Sequence, residues 1–391
     1  MTKLSSRTNT ILLIIISYLA FISLGLPDGL LGISWPFISG RHEVPLDSLG
    51  ILLIGFVAGY LATSSTTGKI LSIIPLGLLL AISCCLTGLS LLTFAYANHW
   101  LLIVMAAFFL GCGGGAIDTA INVFAASRFS ASVVNWLHAF YGIGATSGPF
   151  IITWLLSRGE GWYTGYILVG AVQIILAVTF LTTAGLWRVS PAQDDSQPPV
   201  KYRDAWRLPA IWISILIFFL YTGLEIGVGQ WIFTILTESR NIAAEKAGIW
   251  TSAYWGSLTL GRILFGFVLK WLRVHTVLIG AFAGVITGTV LLAINQGDFF
   301  SLTGILLIGF CNAPIFPSLI SLTPARVGEK HSGHIIGFQI SAAMIGGALL
   351  PALAGLMTDW FGWEVIPITF IIESMLLLVL YLASTRKQTG P

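Results

Sequence analysis

Four acidic residues and one arginine stand inside strongly apolar stretches of this 391-residue sequence. They are Asp28, Asp118, Glu225, Glu373 and Arg262. A charged side chain costs at least about 2.5–3.5 kcal/mol at the centre of a bilayer, so each of these groups needs a proton, an opposite charge or a polar solute to compensate it. Such residues predict ion pairs, proton carriage or solute binding inside a membrane.

Asp118 is the first candidate for proton coupling. It lies in a glycine-rich stretch, and Asn122 follows one helical turn later on the same face. Burial favours the neutral acid, so protonation can follow access to either side of the membrane. The alternative is a neutral carboxyl group that hydrogen-bonds a neighbouring helix for packing.

Asp28 is the second candidate for proton coupling. It follows Pro27 and has Gly25, Gly29 and Gly32 around it, which predicts a loosened or broken helix with free backbone acceptors beside the carboxylate. The alternatives are a structural pair or a position near the outer mouth.

Glu225 is predicted both to couple protons and to bind substrate, together with Gln230 and Trp231 further along the same run. Sugar hydroxyls need charged or amide partners, and the apolar face of a pyranose packs on an aromatic ring. Trp231 could instead anchor the chain at the membrane interface.

Asn135, His138 and Tyr141 lie three residues apart in turn, so the three can share one helical face. Histidine titrates near neutrality and both of its ring nitrogens form hydrogen bonds, which favours a substrate or proton role over simple packing.

Further polar residues occur in the middle of apolar runs in the second half. Asn312 precedes Ala313 and Pro314, which predicts a local break in that helix. Asn and Gln also join helices by hydrogen bonds, so a structural role is the alternative for each. The complete predicted substrate-binding set is Asn122, Asn135, His138, Tyr141, Glu225, Gln230, Trp231, Trp255, Asn312 and Gln339.

Arg262 lies eight residues before Lys270, or about 12 Å along a helix. Its long side chain can extend towards the helix end. We therefore predict that Arg262 forms a structural or gating ion pair and does not contact substrate.

The elements that position these groups follow from composition. The sequence is 56% hydrophobic and 9% charged, with a mean hydropathy of +0.91. Apolar runs of about 20 residues indicate membrane-spanning helices and exclude the alternating pattern of a β-barrel. Twelve runs are predicted: 9–37, 47–66, 71–95, 100–126, 132–156, 162–187, 208–236, 246–271, 275–294, 300–324, 333–358 and 363–384.

The basic residues predict the orientation. With both termini in the cytoplasm, fourteen of the 19 Lys and Arg residues fall on the cytoplasmic side and four on the other. The first run lacks a clear cleavage site and is predicted to be a retained helix. The sequence thus predicts a multi-pass protein of the cell membrane, and its net charge of +3 reflects this asymmetry and not a nucleic-acid partner.

The sequence lacks the motifs that several activities require. The four cysteines show neither a disulfide framework nor a zinc spacing, and no phosphate-binding loop or hydrolase motif occurs. We expect no enzyme activity, no metal and no cofactor beyond a proton gradient, with sodium as an alternative coupling ion. The expected partners are a small polar solute and membrane lipids, and the expected state is a monomer.

The chain also shows an internal repeat. A polar stretch at 188–207 is predicted to be a cytoplasmic linker between six-helix bundles at 1–187 and 208–391. A shift of 198 residues places Gly25 on Gly223 and Gly111 on Gly309. Two parallel repeats of this kind are expected to enclose a cavity.

Five stretches resemble the major facilitator superfamily, and within it the fucose/glucose permease branch. They are 113–122 (GGGAIDTAIN), 138–145 (HAFYGIGA), 221–225 (YTGLE), 261–267 (GRILFGF) and 308–317 (IGFCNAPIFP). The resemblance implies an all-α fold of twelve transmembrane helices in two pseudo-symmetric bundles. It also implies that the acid at the place of Asp118 takes part in proton coupling, that the branch has an acid in the helix of Asp28, and that the last helix, with Glu373, lies outside the cavity.

One loop departs from the superfamily pattern. After 59–62 (GYLA), Thr63 occupies the position where the pattern has Asp. The next glycine, Gly68, comes two positions later than in the pattern. The usual ion-pair latch of that loop is therefore not expected here.

Together these features predict a secondary active transporter that takes up a monosaccharide with a proton by alternating access. The alternative is a proton-antiport exporter of a drug, lipid or metabolite.

Overall fold

A computed structural model describes residues 2–187, 209–327 and 329–386. The predicted linker at 188–207 lies outside these residues. The described helices are α1 Thr2–His42, α2 Leu49–Leu71, α3 Leu76–Tyr96, α4 Trp100–Arg128, α5 Ala131–Ser157, α6 Tyr163–Thr182, α7 Pro209–Thr234, α8 Ala244–Val268, α9 Val274–Ile294, α10 Asp298–Asn312, α11 Ile315–Val327, α12 Glu329–Phe361 and α13 Val365–Arg386.

The predicted all-α membrane fold is confirmed. Eleven described segments are long and apolar enough to cross a membrane, with α10 and α11 forming one of them. The twelfth predicted span is α8, which has 25 residues but carries Thr251, Ser252, Ser257 and Thr259 and is therefore less apolar. Each predicted run overlaps one of these segments or α8.

The chain divides into two compact units, Met1–Asp195 and Ser196–Pro391. Inside the N-terminal unit α1 packs on α5, α2 on α4, and α3 on both α4 and α6. Inside the C-terminal unit α7 packs on α12, α8 on α10, and α9 on both α10 and α13. The two units thus use the same set of helix pairs.

The repeat extends to individual residues. In the N-terminal unit Gly115 of α4 faces Thr63 of α2, where a Cβ on the glycine would lie 2.8 Å from Thr63 Oγ1. In the C-terminal unit Gly261 of α8 faces Ala313, where the corresponding distance to the Ala313 Cβ is 2.6 Å. Both pairs of positions differ by 198 residues, so the repeat predicted from sequence is present in the packing.

The prediction of a broken first helix is wrong. Helix α1 runs without interruption through Pro27. Gly25 and Gly29 instead bring α1 against α5, because a Cβ on either residue would overlap atoms of α5 that include the carbonyl oxygens of Tyr141 and Ala145. These glycines serve close helix packing, which leaves no room for a side chain.

The second predicted break does occur. Helix α10 ends at Asn312 and α11 begins at Ile315, since Pro314 cannot supply a backbone donor to the helix. The four cysteines, Cys84, Cys85, Cys112 and Cys311, are all free thiols.

Candidate functional site

Asp118 lies at the contact between α4 and α2. Its Oδ2 accepts a hydrogen bond from the Tyr60 hydroxyl, and its Oδ1 accepts one from Asn122 Nδ2 at 2.8 Å. Asn122 Nδ2 also lies 3.0 Å from the Asp118 carbonyl oxygen. Both carboxylate oxygens therefore accept bonds from neutral donors, and among the described contacts no cation is bonded to the carboxylate.

The local packing explains why Tyr60 reaches Asp118. Gly115 lies one turn before Asp118, and a Cβ there would lie 2.5 Å from the Tyr60 carbonyl oxygen. Because Gly115 has no side chain, α2 approaches α4 closely enough for the tyrosine hydroxyl to meet the carboxylate. Tyr60 was missed by the sequence analysis, although it is a polar side chain within the second apolar run.

Asp28 forms a second pair of the same kind. Its Oδ2 accepts a hydrogen bond from the hydroxyl of Tyr141, across the α1–α5 contact. Sequence reasoning selected both residues but did not predict that they bond to each other, because they are separated by 113 positions.

The two pairs belong to one group of side chains. Asp28 interacts electrostatically with Tyr60, and His138 does so with Asp118. His138 is exposed, and its ring meets Phe21 edge-on at 5.6 Å. We call this group the N-terminal polar cluster, which consists of Asp28, Tyr60, Asp118, Asn122, His138 and Tyr141.

Asn135 belongs to the same predicted face of α5 as His138. Its side chain lies outside those that the structure describes, so its predicted contact with substrate stays a prediction.

The C-terminal unit places its predicted acid beside its predicted arginine. Arg262 Nη2 lies 3.0 Å from Glu225 Oε1, and the two side chains are 24% and 10% exposed. The Tyr254 hydroxyl donates to the Glu225 carbonyl oxygen at 2.8 Å. Glu225 and Arg262 therefore neutralise each other inside the unit. An ion pair of Arg262 was predicted from sequence, but its partner was not.

Asn312 and Trp255 are both buried near this ion pair. The Tyr221 hydroxyl donates to the Asn312 carbonyl oxygen at 3.0 Å, which uses an acceptor freed by the break after α10. The Asn312 amide lies beside the Tyr254 hydroxyl, though without a hydrogen bond of ordinary geometry among the described residues. The Trp255 indole N–H has no hydrogen-bond partner in the described part of the chain.

Two predicted substrate contacts need correction. Trp231 is fully buried, its indole nitrogen donates to the Pro351 carbonyl oxygen at 2.9 Å, and its ring lies 6.0 Å from Trp363. The ring thus offers no open face to a sugar, and it is not an interfacial anchor either.

Gln339 is the second correction. It is 1% exposed, and its amide nitrogen donates to Ser214 Oγ at 2.5 Å and to Thr323 Oγ1 at 3.1 Å. Its polar atoms join helices α7, α11 and α12, which was the structural alternative considered from sequence.

Two further polar residues of the C-terminal unit are buried. Gln230 on α7 is 3% exposed, and Glu373 on α13 is 7% exposed. The Oε2 atom of Glu373 has no hydrogen-bond partner among the described residues. Neither residue belongs to the contacts of the Glu225–Arg262 pair that are described above.

The family of the chain is shown by comparison with known proteins. The profile of the Major Facilitator Superfamily matches residues 17–294 and 232–391. The chain therefore belongs to this superfamily, and it is a multi-pass membrane transporter and not an enzyme.

Several similar proteins are named as transporters of sugars or nucleosides. The Glucose/mannose transporter GlcP of Bacillus subtilis (strain 168) is 25% identical over 352 residues, which is 86% of each chain. A variant of the nucleoside transporter NupG has a similar solved structure, with a TM-score of 0.82 and 14% identity over 95% of this chain and 99% of that one. The E. coli Fucose:proton symporter FucP gives a TM-score of 0.65 and 16% identity over 97% and 98% of the two chains.

Proposed function

We propose that this transporter takes up a monosaccharide together with a proton, by exposing its site alternately to the two sides of the cell membrane. The observation that carries the proposal is the hydrogen bonding of the Asp118 carboxylate to neutral donors. An acid within a membrane helix whose bonded partners are a hydroxyl and an amide can bind and release a proton without breaking an ion pair. Glucose and mannose are the first substrates to test, because GlcP is named for them.

The rest of the N-terminal polar cluster suits the same function. Tyr141, His138 and Asn122 supply hydroxyl, imidazole and amide groups of the kind that bond to sugar hydroxyls. Asp28 provides a second acid for the proton. In this proposal Glu225 keeps Arg262 neutralised. Both termini lie in the cytoplasm, which the excess of basic residues on that side supports.

The test uses the purified full chain in liposomes. Labelled D-glucose and D-mannose are offered with and without an inward proton gradient, and an internal pH dye reports proton entry. We expect the gradient to drive accumulation and the sugar to carry protons in. Accumulation that persists after a protonophore, or sugar entry without acidification, would refute proton coupling.

Asp118→Asn is the informative variant, because it keeps the size of the side chain and removes the titrating group. We expect it to lose gradient-driven accumulation while sugar exchange across the membrane continues. Glu373→Gln is the matched control, since Glu373 is also a buried acid in a membrane helix but lies in the other unit. Equal effects of the two substitutions would contradict the assignment to Asp118.

The substrate class is tested in the same preparation. Uridine is included because of the likeness to NupG, and tetraphenylphosphonium tests the proton-antiport exporter of lipophilic compounds. Protection against thermal unfolding by a hexose, and not by these two compounds, supports the sugar assignment. Protection by tetraphenylphosphonium alone would favour the exporter.

A further inference from the structure

Tyr60 has an unusually fixed relation to Asp118. A Cβ on Gly59 would overlap the Phe108 carbonyl oxygen, and Thr63 Oγ1 donates to the Cys112 carbonyl oxygen at 2.8 Å. Both contacts join α2 to α4 on either side of Tyr60. The tyrosine hydroxyl is therefore placed against Asp118 by the backbones of two packed helices.

The hydrogen-bonding capacity of the partners limits how Asp118 can take up a proton. In the ionised form both oxygens accept, and the Tyr60 hydroxyl and the Asn122 amide both donate. A protonated carboxyl group must itself donate one hydrogen bond. The amide nitrogen of Asn122 can only donate, whereas a tyrosine hydroxyl can also accept.

Turning the Asn122 amide over would set its oxygen against the Asp118 carbonyl oxygen, which Nδ2 now faces at 3.0 Å, so the change falls to Tyr60. When a proton binds to Oδ2, the new carboxyl O–H donates to the Tyr60 oxygen, and the hydroxyl hydrogen of Tyr60 turns to another acceptor. No covalent bond other than the new O–H is formed. Asp28 of α1 is a second acid that interacts electrostatically with Tyr60.

We infer that Tyr60 is a positioning residue for Asp118: its hydroxyl holds the ionised carboxylate in place and reverses its hydrogen bond when the proton binds. This inference deepens the proposed function. Protonation of Asp118 thereby changes the hydrogen bond between α4 and α2. The freed Tyr60 hydroxyl in turn changes the electrostatic interaction with Asp28 of the Asp28–Tyr141 pair.

The other groups around Asp118 are consistent with this assignment. Asp28 of α1 and His138 and Tyr141 of α5 are the titratable groups recorded in this region from those helices. The packing of α3 on α4 near Gly113 involves Ser83 and Thr87, which carry no charge. Tyr60 therefore remains the residue from another helix that is hydrogen-bonded to the Asp118 carboxylate in the described contacts.

Tyr60→Phe tests the inference, because it removes the hydroxyl and keeps the ring. Loss of a donor to the ionised carboxylate favours the protonated form. Infrared titration of the Asp118 carboxyl band, assigned by difference from Asp118→Asn, gives the pH at which Asp118 is half-protonated. We expect this pH to move upward by about one unit, a tenfold change in proton affinity. We also expect gradient-driven sugar accumulation to fall about tenfold.

Tyr166→Phe is the matched control, since Tyr166 is a buried tyrosine of the same unit that stacks on Phe94 at 5.3 Å and is not bonded to an acid in the described contacts. An unshifted infrared midpoint in Tyr60→Phe, or an equal shift in Tyr166→Phe, would overturn the inference. The infrared titration needs no substrate. A shifted midpoint in a protein that shows no sugar-linked proton entry would therefore support the role of Tyr60 and refute the proposed function separately.

Discussion

Gly111 lies so close to Phe56 that a Cβ on the glycine would overlap the Phe56 carbonyl oxygen. In the other unit Gly309 lies against Tyr254, and a Cβ on that glycine would be 2.5 Å from the Tyr254 carbonyl oxygen. Both residues of the second pair come 198 positions after those of the first. The same backbone contact thus holds α2 on α4 and α8 on α10, and these helices carry Tyr60, Asp118 and Arg262.

We predict that Gly111→Ala and Gly309→Ala each destabilise the protein. The added methyl group must push two helix backbones apart, and overpacking of this kind costs about 1–3 kcal/mol. Thermal unfolding in detergent, followed by tryptophan fluorescence, measures the effect. Gly68→Ala and Gly280→Ala are the controls, because a Cβ at either site has no neighbour within 4 Å. Equal losses at all four sites would contradict the packing explanation.

The glycine contacts show which features could be predicted from sequence. Close helix approach needs a small residue at a fixed position, so the repeat was detectable from Gly111 and Gly309. The partner of a buried polar group comes from a distant part of the chain and has no local signal. For that reason the Asp28–Tyr141 pair and the role of Tyr60 emerged only from the structure.

The burial of Trp231 was unpredictable for a related reason. An aromatic residue near the end of an apolar run is equally suited to a sugar site, to a membrane interface or to the interior of a bundle. The contact with Pro351, which lies 120 positions away, decides between them.

We predict that removal of Arg262 alone is more harmful than removal of the whole ion pair. Arg262→Met leaves the buried Glu225 carboxylate without its partner at 3.0 Å. Breaking a buried pair in this way costs about 3–5 kcal/mol, and somewhat less here because Arg262 is partly exposed. The double variant Glu225→Gln/Arg262→Met should recover most of the loss in thermal unfolding. A double variant no more stable than Arg262→Met would show that the two side chains do not act as a pair.

We predict that Trp231→Phe lowers stability without changing sugar affinity. The substitution removes the indole donor to the Pro351 carbonyl oxygen and leaves that acceptor unsatisfied in a buried place, at a cost of about 1–3 kcal/mol. Thermal unfolding and the KM for sugar uptake are measured on the same preparation. A rise in KM with unchanged stability would restore Trp231 to the substrate site.

Arg240 joins residues near the ends of several helices of the C-terminal unit. Its Nη2 donates to the Leu292 carbonyl oxygen and to Glu364 Oε2, both at 2.8 Å, and its Nη1 donates to Ser301 Oγ at 2.9 Å. Arg41 caps α3 in the N-terminal unit in a similar way, through a bond of 3.0 Å to the Ala95 carbonyl oxygen. In each unit an arginine that ends or follows the first helix satisfies a carbonyl group near the end of the third helix.

The Arg240–Glu364 pair predicts a dependence of stability on pH. Burial alone raises the pKa of Glu364, but hydrogen bonds from Arg240 and Ser239 and the charge of Arg240 outweigh it, and the net effect lowers the pKa below its ordinary value. A carboxyl group with a lower pKa in the folded protein stabilises the fold fully above its unfolded pKa of about 4.3. That contribution is lost as the pH falls through the folded pKa.

We therefore expect Glu364→Gln to be less stable than the unchanged protein at pH 7, and the difference to shrink steadily below about pH 4, where both forms of residue 364 are neutral. Thermal unfolding measured across this pH range provides the test. Glu160→Gln is the control, because Glu160 is an exposed loop residue whose carboxyl group makes no recorded ion pair among the described residues. A difference that stays constant with pH would mean that Glu364 acts through its shape and hydrogen bonds and not through its charge.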